Sequence, residues 1–398
     1  MENRENPNPN ISDDLLFTNI LPRLPPKSLI RFKTVSKQWR SIISNPNFIE
    51  SNLQLSKTNH QNSGILVRSL SKSSTTEGVL TLTSLSFDDF TTKDFNFDMS
   101  KIVHRYRDDH TLFVLGCCNG LLCFWLSARI ICVWNPITNE YRRLPNPPVV
   151  YSHPGQCLSG FGYVPSLDDY KLVLLEFINV DDGNNLIRVY SYTLRCNEWE
   201  LIRVVDDMFD SPFPDNPLYN YFCPQSGVIL PNSKSHWVAR QNYKTRDCNL
   251  ILAFDLVTDT FNTVKVPEEL LLQSGEPSMK RFLYCLSNID DKLCIAAHGI
   301  RLGDCTDSLQ VWKLERYGDS SSWNKFLWIN GIESLKSLCS FLTSYMSRDG
   351  LTYLMYSNTK TGIYSFGGEL CAEYLLFTVP YVESLISPFM TAEKGLFS

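Results

Sequence analysis

The chain contains 398 residues, of which 43% are hydrophobic and 20% are charged, and its formal net charge is −5 at pH 7. This length exceeds that of one ordinary domain, and the composition supplies enough apolar side chains for a sizeable core. A small negative net charge argues against a general nucleic-acid-binding protein, which would be strongly basic. We therefore predict a soluble globular protein with no nucleic-acid partner.

Residues 1–10 are polar and rich in Asn and Pro, and they lack both the basic start and the apolar core of a secretory signal. We expect this segment to be disordered, and no export is implied. The most apolar stretch, residues 114–134, is interrupted by Gly116, Asn119, Gly120 and Arg129, which a membrane span would not carry. It is predicted to form two strands joined by a turn, and no membrane partner is expected.

The 13 cysteines all lie from Cys117 onward, and most stand singly within apolar runs. An odd number in this arrangement is typical of reduced core thiols rather than of a disulfide framework. The cysteines therefore favour the cytoplasm or the nucleus as the compartment.

Residues 11–55 have a helical period that predicts three short helices. Ser12 can cap the first helix, and Leu15, Leu16 and Ile20 form its apolar face. The sequence Leu24-Pro25-Pro26 then ends one element and begins the next, because proline is tolerated at a helix start and breaks a helix interior.

The second and third predicted helices carry further apolar residues at helical spacing. Leu29, Phe32 and Val35 belong to the second helix. Ser36 can cap the third, and its apolar face comprises Trp39, Ile42 and Ile43 before Asn45-Pro46 stops it. Between Leu15 and Ile49 the charges are all basic, namely Arg23, Lys27, Arg31, Lys33, Lys37 and Arg40. Either this is a solvated helix face, or it attracts an acidic partner surface.

The helical period disappears after Ser51, and residues 56–63 are polar and predicted to be a linker. From residue 64 to residue 390, short apolar runs alternate with Gly, Pro, Asn and Asp turns, which predicts a large all-β domain. Residues 391–398 are left as a C-terminal tail. The fold class is thus α+β multidomain, with a three-helix domain followed by a β domain.

The β region contains a degenerate repeat in which two aromatic residues stand seven positions apart around a polar turn. The pairs are Trp134 with Tyr141, Tyr192 with Trp199, Phe254 with Phe261 and, in a stretched form, Trp312 with Trp323. Each unit is predicted to be a β-hairpin, and successive units lie roughly 60 residues apart, near the period of a kelch-type propeller blade. We predict about six blades, beginning near Gly64, Thr111, Gly160, Gln225, Phe282 and Phe341.

The residues predict no catalytic, metal or cofactor site. Cys117 and Cys118 are adjacent, so a strand would point their thiols to opposite faces, and no Cys-x-x-Cys pair supports a zinc site. The acidic pairs could serve a propeller hydrolase, but they stand beside turn residues, where Asp is expected for backbone reasons. These pairs are Asp168-Asp169, Asp181-Asp182, Asp206-Asp207 and Asp290-Asp291.

Two sets of motifs resemble the plant F-box proteins that carry an F-box-associated domain. The first is the N-terminal run of residues 13–16, 20–33 and 35–43. The second comprises Gly116-Cys117-Cys118-Asn119-Gly120, Trp134-Asn135-Pro136-Ile137-Thr138, residues 160–173, Phe254-Asp255-Leu256, residues 311–318 and residues 381–385. The resemblance implies that residues 11–55 form an F-box and residues 64–390 an F-box-associated propeller-like domain.

The resemblance also implies partners. The F-box would bind the Skp adaptor, and through it a cullin, by way of Leu15, Ile20, Leu24, Pro25, Leu29, Val35 and Trp39. Several of these residues, and especially Phe32 and Ile42, could instead hold the helices together. Two departures from the family pattern are Ile11-Ser12 in place of Leu-Pro, which weakens the expected adaptor contact, and Pro22, which is expected to shorten the first helix.

Three functions remain open at this stage. The first is a substrate receptor of a Skp-cullin-F-box ubiquitin ligase, which captures a target protein through the β domain. The second is an F-box module that binds or regulates outside the ligase, and the third is a propeller hydrolase. The target-binding residues cannot be read from the sequence. The segment 205–221, rich in Asp, Pro and aromatic residues, is either a binding loop or a disordered insert.

Overall fold

The computed structural model describes most of the chain in short segments. The described residues are 15–58, 63–69, 79–85, 92–102, 112–126, 130–149, 157–179, 185–206, 227–239, 250–270, 279–301, 306–333, 342–346, 352–358, 362–365, 368–370 and 375–389. Ser12, the predicted cap of the first helix, lies outside them.

In the described residues 15–58, two short helical turns are followed by three α-helices. A π-helical turn covers Leu16–Ile20 and a 3-10 turn covers Leu21–Arg23, so the helical run ends in a turn that contains Pro22. The α-helices are α1 (Pro26–Phe32), α2 (Lys37–Ile43) and α3 (Pro46–Thr58). Ser36 caps α2 as predicted, since its Oγ accepts a hydrogen bond of 3.1 Å from the Trp39 amide.

Helix α3 was not predicted from the sequence and runs into the segment interpreted as a linker. Asn45-Pro46 ends α2 but also begins α3, because Asn45 Oδ1 accepts a 2.9 Å hydrogen bond from the Asn47 amide and Pro46 occupies the first helical position. The buried face of α3 comprises Phe48, Ile49, Asn52, Leu53 and Ser56. Two of these five side chains are polar, which hides the helical period in the sequence.

The described strands of the β domain form six antiparallel four-stranded sheets, or blades. Blade 1 comprises β1 (Ser63–Ser69), β2 (Val79–Leu85), β3 (Thr92–Asp98) and β24 (Leu375–Val382); blade 2 comprises β4 (Leu112–Cys118), β5 (Leu121–Leu126), β6 (Ile130–Trp134) and β7 (Tyr141–Arg143). Blade 3 comprises β8 (Cys157–Val164), β9 (Asp169–Asn179), β10 (Asn185–Thr193) and β11 (Trp199–Asp206); blade 4 comprises β12 (Val228–Ile229), β13 (Lys234–Ala239), β14 (Leu250–Asp255) and β15 (Thr260–Lys265). Blade 5 comprises β16 (Met279–Ile289), β17 (Lys292–Arg301), β18 (Thr306–Leu314) and β19 (Trp323–Glu333); blade 6 comprises β20 (Leu342–Met346), β21 (Thr352–Asn358), β22 (Gly362–Ser365) and β23 (Gly368–Leu370).

The six blades close into a ring. The innermost strands β24, β4, β8, β12, β16 and β20 contact one another in this order, and β20 contacts β24 to complete the circle. In blade 1 the innermost strand is therefore the last strand of the chain, and β24 pairs antiparallel with β1 from Ser63↔Val382 onward. Radial closure of this kind leaves only short sheet edges. The predicted propeller with about six blades is confirmed.

The aromatic repeat marks the hairpin between the third and fourth strands of successive blades. Trp134 pairs with Tyr141, Tyr192 with Trp199 and Phe254 with Phe261 across this hairpin. The first member of each pair is at most 1% exposed. Each packs in the apolar cluster between its own blade and the preceding one, so the three positions are equivalent, as the repeat predicts.

Tight turns occupy one face of the ring, which we call the turn face. They connect the first to the second and the third to the fourth strand of a blade, and they contain the non-glycine residues with positive φ: Asn119, Asn139, Asp168, Asn197, Ser233, Asp259, Asp290 and Asp291. Asn and Asp tolerate this conformation better than other side chains. The acidic pairs 168–169 and 290–291 thus lie in or beside turns for backbone reasons.

The helical domain and the propeller share one apolar cluster. Leu29, Ile43 and Leu53 of the helices belong to the same buried cluster as Leu121 and Trp125 of blade 2. Blade 3 and the segment after β24 also contribute to it. The helices therefore pack directly against the turn face of blades 2 and 3 and are not joined to the propeller by a linker alone.

Candidate adaptor-binding surface

The exposed apolar residues of the helical domain define a candidate binding surface. Val35 is 61% exposed and Leu15 is 46% exposed. Pro25 is also exposed, whereas Ile20, Leu24 and Trp39 are half-buried. Six of the seven sequence-predicted adaptor contacts thus present some surface to solvent.

Leu29 is the exception and requires a correction. Its side chain is 0% exposed and packs in the cluster that joins the helices to the propeller. A side chain with no accessible surface makes no contact with a separate protein in this arrangement. The physical reason is that Leu29 belongs to an apolar cluster to which α3 and blade 2 also contribute, and α3 was not predicted from the sequence.

Trp39 lies at the centre of an aromatic group that holds the helices together. Its ring meets the edges of Phe17 and Phe32, with centroid distances of 5.9 and 5.5 Å. Such edge-to-face pairs contribute about 0.5–1.5 kcal/mol beyond the area they bury. Phe32 and Ile42 pack against the shared cluster as partly buried residues, which agrees with their alternative, structural interpretation.

Asn52 positions the exposed corner at Leu24-Pro25, and sequence analysis missed this residue. It is 1% exposed, and its Nδ2 donates to the carbonyl oxygens of Pro22 at 2.8 Å and Leu24 at 3.0 Å. Pro22 belongs to the 3-10 turn and Leu24 follows its last residue. Backbone carbonyls at the end of a helical turn lack an intrahelical hydrogen bond, and Asn52 supplies the donor here. One signal could have revealed Asn52: it is a polar residue on the core-facing side of a helix that begins at a proline.

The basic residues of this domain form an exposed, largely uncompensated set. Arg23, Lys27, Arg31, Lys37 and Arg40 are exposed, and in the described residues 15–58 Glu50 is the only acidic side chain. Lys33 is half-buried, and burial lowers its pKa, partly offset by the nearby Glu140 carboxylate. Positive charge around exposed apolar residues suits an acidic protein surface.

Most of the described cysteines have the chemistry of core thiols, whereas Cys196 is exposed. Cys117, Cys118, Cys123, Cys132, Cys157, Cys196, Cys285 and Cys294 are all free. Burial raises the pKa of Cys132 and of Cys294 to about 12, and it raises the pKa of Cys117, Cys123 and Cys157 as well. These thiols stay protonated at neutral pH and are poor nucleophiles and metal ligands.

The described acidic residues of the turns make structural hydrogen bonds. Asp169 is buried, and its two carboxylate oxygens accept 2.8 Å hydrogen bonds from the amides of Tyr170 and Arg195. Asp290 pairs with Lys313 at 2.8 Å. Within the described segments, no group of three or more His, Cys, Asp or Glu residues is arranged to hold a metal, and no helix is long and apolar enough to cross a membrane.

A short helical domain with an exposed apolar and basic surface, docked on a six-bladed propeller, defines an F-box protein of the propeller class. Residues 12–51 match the F-box domain, and residues 77–387 match the family described as F-box associated beta propeller domain. The second match covers most of the chain. The protein therefore belongs to the F-box proteins that carry an F-box-associated propeller domain.

Individual relatives agree with this assignment. The chain is 26% identical to the F-box protein CPR1 of Arabidopsis thaliana over 87% of this chain and 79% of that protein. It is 24% identical to the F-box/kelch-repeat protein At3g23880 of Arabidopsis thaliana, over 88% of this chain and 86% of the relative. Among solved structures, the N-terminal domain of Nup159 covers 76% of this chain and 73% of its own at 10% identity, with a TM-score of 0.29 that is too low to establish a shared fold.

Proposed function

We propose that this protein is the substrate-recognition subunit of a Skp-cullin-F-box ubiquitin ligase. The observation that carries the proposal is the pair of exposed apolar residues, Leu15 and Val35, on an F-box whose described charges are almost all basic. An apolar centre surrounded by a polar rim is the usual composition of a protein–protein interface. The adaptor is Skp, and cullin is recruited through it.

In this proposal the chain performs no chemistry of its own. It holds a target protein near the ubiquitin carrier, which raises the effective concentration of the two reactants in the way that any tether does. The target is a protein bound by the propeller, and the compartment is the cytoplasm or the nucleus. The candidate loop 205–221 connects β11 to β12, and from residue 207 onward it lies outside the described residues.

The adaptor contact can be tested with two charge substitutions. Val35→Asp and Leu15→Asp each place a carboxylate where an apolar contact is proposed, so a desolvated charge without a partner would oppose binding. We expect each variant to lose at least about 30-fold in affinity for Skp, as for a hot-spot residue. Because both side chains are largely exposed in the free protein, the melting temperature should stay within about 2 °C of wild type.

Leu201→Asp and Val204→Asp are matched controls. Both side chains are about half exposed, at 51% and 50%, and they lie on the outer strand of blade 3. They should leave Skp affinity unchanged. Normal adaptor binding by Val35→Asp and Leu15→Asp would contradict the proposed surface, and recovery of Skp without cullin from cells would favour a role outside the ligase.

A further inference from the structure

The described residues that follow β24, 383–389, form what we call the C-terminal segment, and this segment lies across two turns of blade 2. Ser384 Oγ donates a 2.6 Å hydrogen bond to the Asn119 carbonyl in the turn between β4 and β5. Asn135, in the turn between β6 and β7, donates from Nδ2 to the carbonyl oxygens of Ser384 at 3.0 Å and Ile386 at 2.7 Å. A side chain at Gly120 would collide with Ser384 Oγ and the Val382 carbonyl. The turn between β4 and β5 and the segment after β24 are therefore in direct contact.

Comparison with blade 4 separates the two roles of Asn135. Its Oδ1 accepts from the amides of Ile137 and Thr138, at 2.8 and 3.2 Å. The equivalent residue of blade 4 is Asp255, whose Oδ1 accepts from Val257 and Thr258 at 2.9 and 3.2 Å. An aspartate therefore satisfies this turn equally well. What only an asparagine supplies is the amide group that binds the C-terminal segment.

The helical domain packs against the same place. Leu385 and Ile386 are 3% and 4% exposed and belong to the cluster that contains Phe48 and Leu53 of α3. The pKa effects agree with this position: the Glu140 carboxylate, at the end of the turn that Asn135 holds, partly offsets the fall that burial causes in the pKa of Lys33, and Lys57 of α3 partly offsets the rise that burial causes in the pKa of Cys118, beside Asn119. The C-terminal segment therefore lies in the apolar cluster that joins blade 2 to the F-box helices.

We propose that Ser384–Ile386 is a positioning element that fixes the orientation of the F-box on the propeller. Because this segment directly follows β24, the strand that closes the ring, its place on blade 2 exists only when the ring is closed. Docking of the F-box is therefore coupled to completion of the propeller. The consequence for ubiquitin transfer, a constant distance between adaptor and target, rests on the proposed function, whereas the docking itself does not.

Hydrogen exchange of the full-length chain, followed by mass spectrometry, tests this proposal through the amides of α3. Ile386→Ala and Leu385→Ala remove side chains from the shared cluster without touching the helices. We expect exchange in residues 50–58 to accelerate by about tenfold or more, because undocking precedes opening of the helix. Exchange in β17 should remain within about twofold of wild type.

The matched control is Leu293→Ala, which removes a leucine that is 1% exposed from the cluster of blades 4 and 5, remote from the helices. It should accelerate amide exchange in β17 and leave exchange in α3 unchanged, although we expect it to lower the free energy of unfolding as much as Ile386→Ala does. If Ile386→Ala leaves α3 unchanged, or if Leu293→Ala accelerates α3 equally, the proposal is overturned.

Ser384→Ala decides the question if the larger truncations fail to fold. It removes the two hydrogen bonds of the Ser384 hydroxyl, which donates to the Asn119 carbonyl and accepts from the Ile386 amide, and it should accelerate exchange in α3 by about threefold or more. Unchanged exchange in α3 would then overturn the proposal. None of these measurements involves Skp, so failure of the wild-type chain to bind Skp would remove the proposed function and leave the exchange result intact.

Discussion

His236 is a buried histidine whose two ring nitrogens both have partners. Nδ1 lies 3.1 Å from the Val228 carbonyl and Nε2 lies 2.8 Å from the Tyr317 hydroxyl. Because a carbonyl can only accept, Nδ1 carries the proton and Nε2 accepts from Tyr317. Burial lowers the pKa of His236 to about 4. At neutral pH the ring is therefore uncharged and links blade 4 to the turn of blade 5 that contains Tyr317.

This lowered pKa predicts a loss of stability on acidification. Protons bind the unfolded histidine near pH 6.5 but the folded one only near pH 4, so its stabilising contribution is complete above pH 6.5 and is lost as the pH falls toward 4. Between pH 7 and pH 5 we expect the free energy of unfolding to fall by about 2 kcal/mol from this residue. Urea unfolding at both pH values measures it, and His236→Gln should show a correspondingly smaller fall. An equal fall in the variant would contradict the assignment.

The third-to-fourth-strand hairpin is the recurring element of the propeller, and its aromatic residues do two different things. The first aromatic fills the space between blades, as Trp134 and Phe254 do at 0% exposure. In blades 3 and 5 the tryptophan that begins the fourth strand reaches back to the preceding blade: Trp199 Nε1 donates to the Pro145 carbonyl and Trp323 Nε1 to the Lys265 carbonyl, both at 2.8 Å. These two hairpins therefore connect their blade to the one before it.

Truncation of the first aromatic should be costly in any blade that carries the repeat. Trp134→Ala and Phe254→Ala should each lower the free energy of unfolding by about 3–5 kcal/mol, as expected for fully buried aromatic residues. Phe261→Ala, which removes the half-buried partner of Phe254, should cost roughly half as much. Denaturant titration gives all three values. A smaller effect of Phe254→Ala than of Phe261→Ala would contradict the assigned roles.

At the scale of the whole molecule, the helices and the propeller are one folded body rather than two domains on a linker. The shared cluster includes residues from α1, α2, α3, blades 2 and 3 and the C-terminal segment. A charge at Leu29 would therefore disturb this cluster as well as the F-box, and it is a poor probe of adaptor binding. Val35 and Leu15 are better probes because their side chains are exposed.

The shared cluster predicts that the propeller depends on the helices. A fragment of residues 59–398 lacks all three α-helices and exposes the part of the cluster that blades 2 and 3 contribute. We expect it to melt about 5 °C or more below the full chain and to bind a hydrophobic dye, because uncovered apolar surface is unfavourable in water. A chain of residues 1–389, which keeps the described C-terminal segment, should melt like the full chain. Equal melting temperatures for the fragment and the full chain would show that the helices contribute nothing to the core.

The sequence by itself determined the features that local interactions control. Ser36 caps α2 and proline begins α1. The aromatic repeat and the alternation of apolar runs with turns predicted six blades, and each predicted start lies within three residues of a described strand. These features depend on neighbours along the chain or on a strand period, so a single sequence displays them.

Only the tertiary structure decided how the parts meet. It showed that α3 exists despite its buried Asn52 and Ser56, that Leu29 is buried in a cluster shared with the propeller, and that Asn135 binds Ser384 and Ile386, some 250 residues away. The physical reason is that burial and hydrogen bonding at these positions come from segments distant in sequence. Contacts between residues far apart in the sequence leave no periodic pattern in it. They form only when the ring is closed and the helices are docked on it.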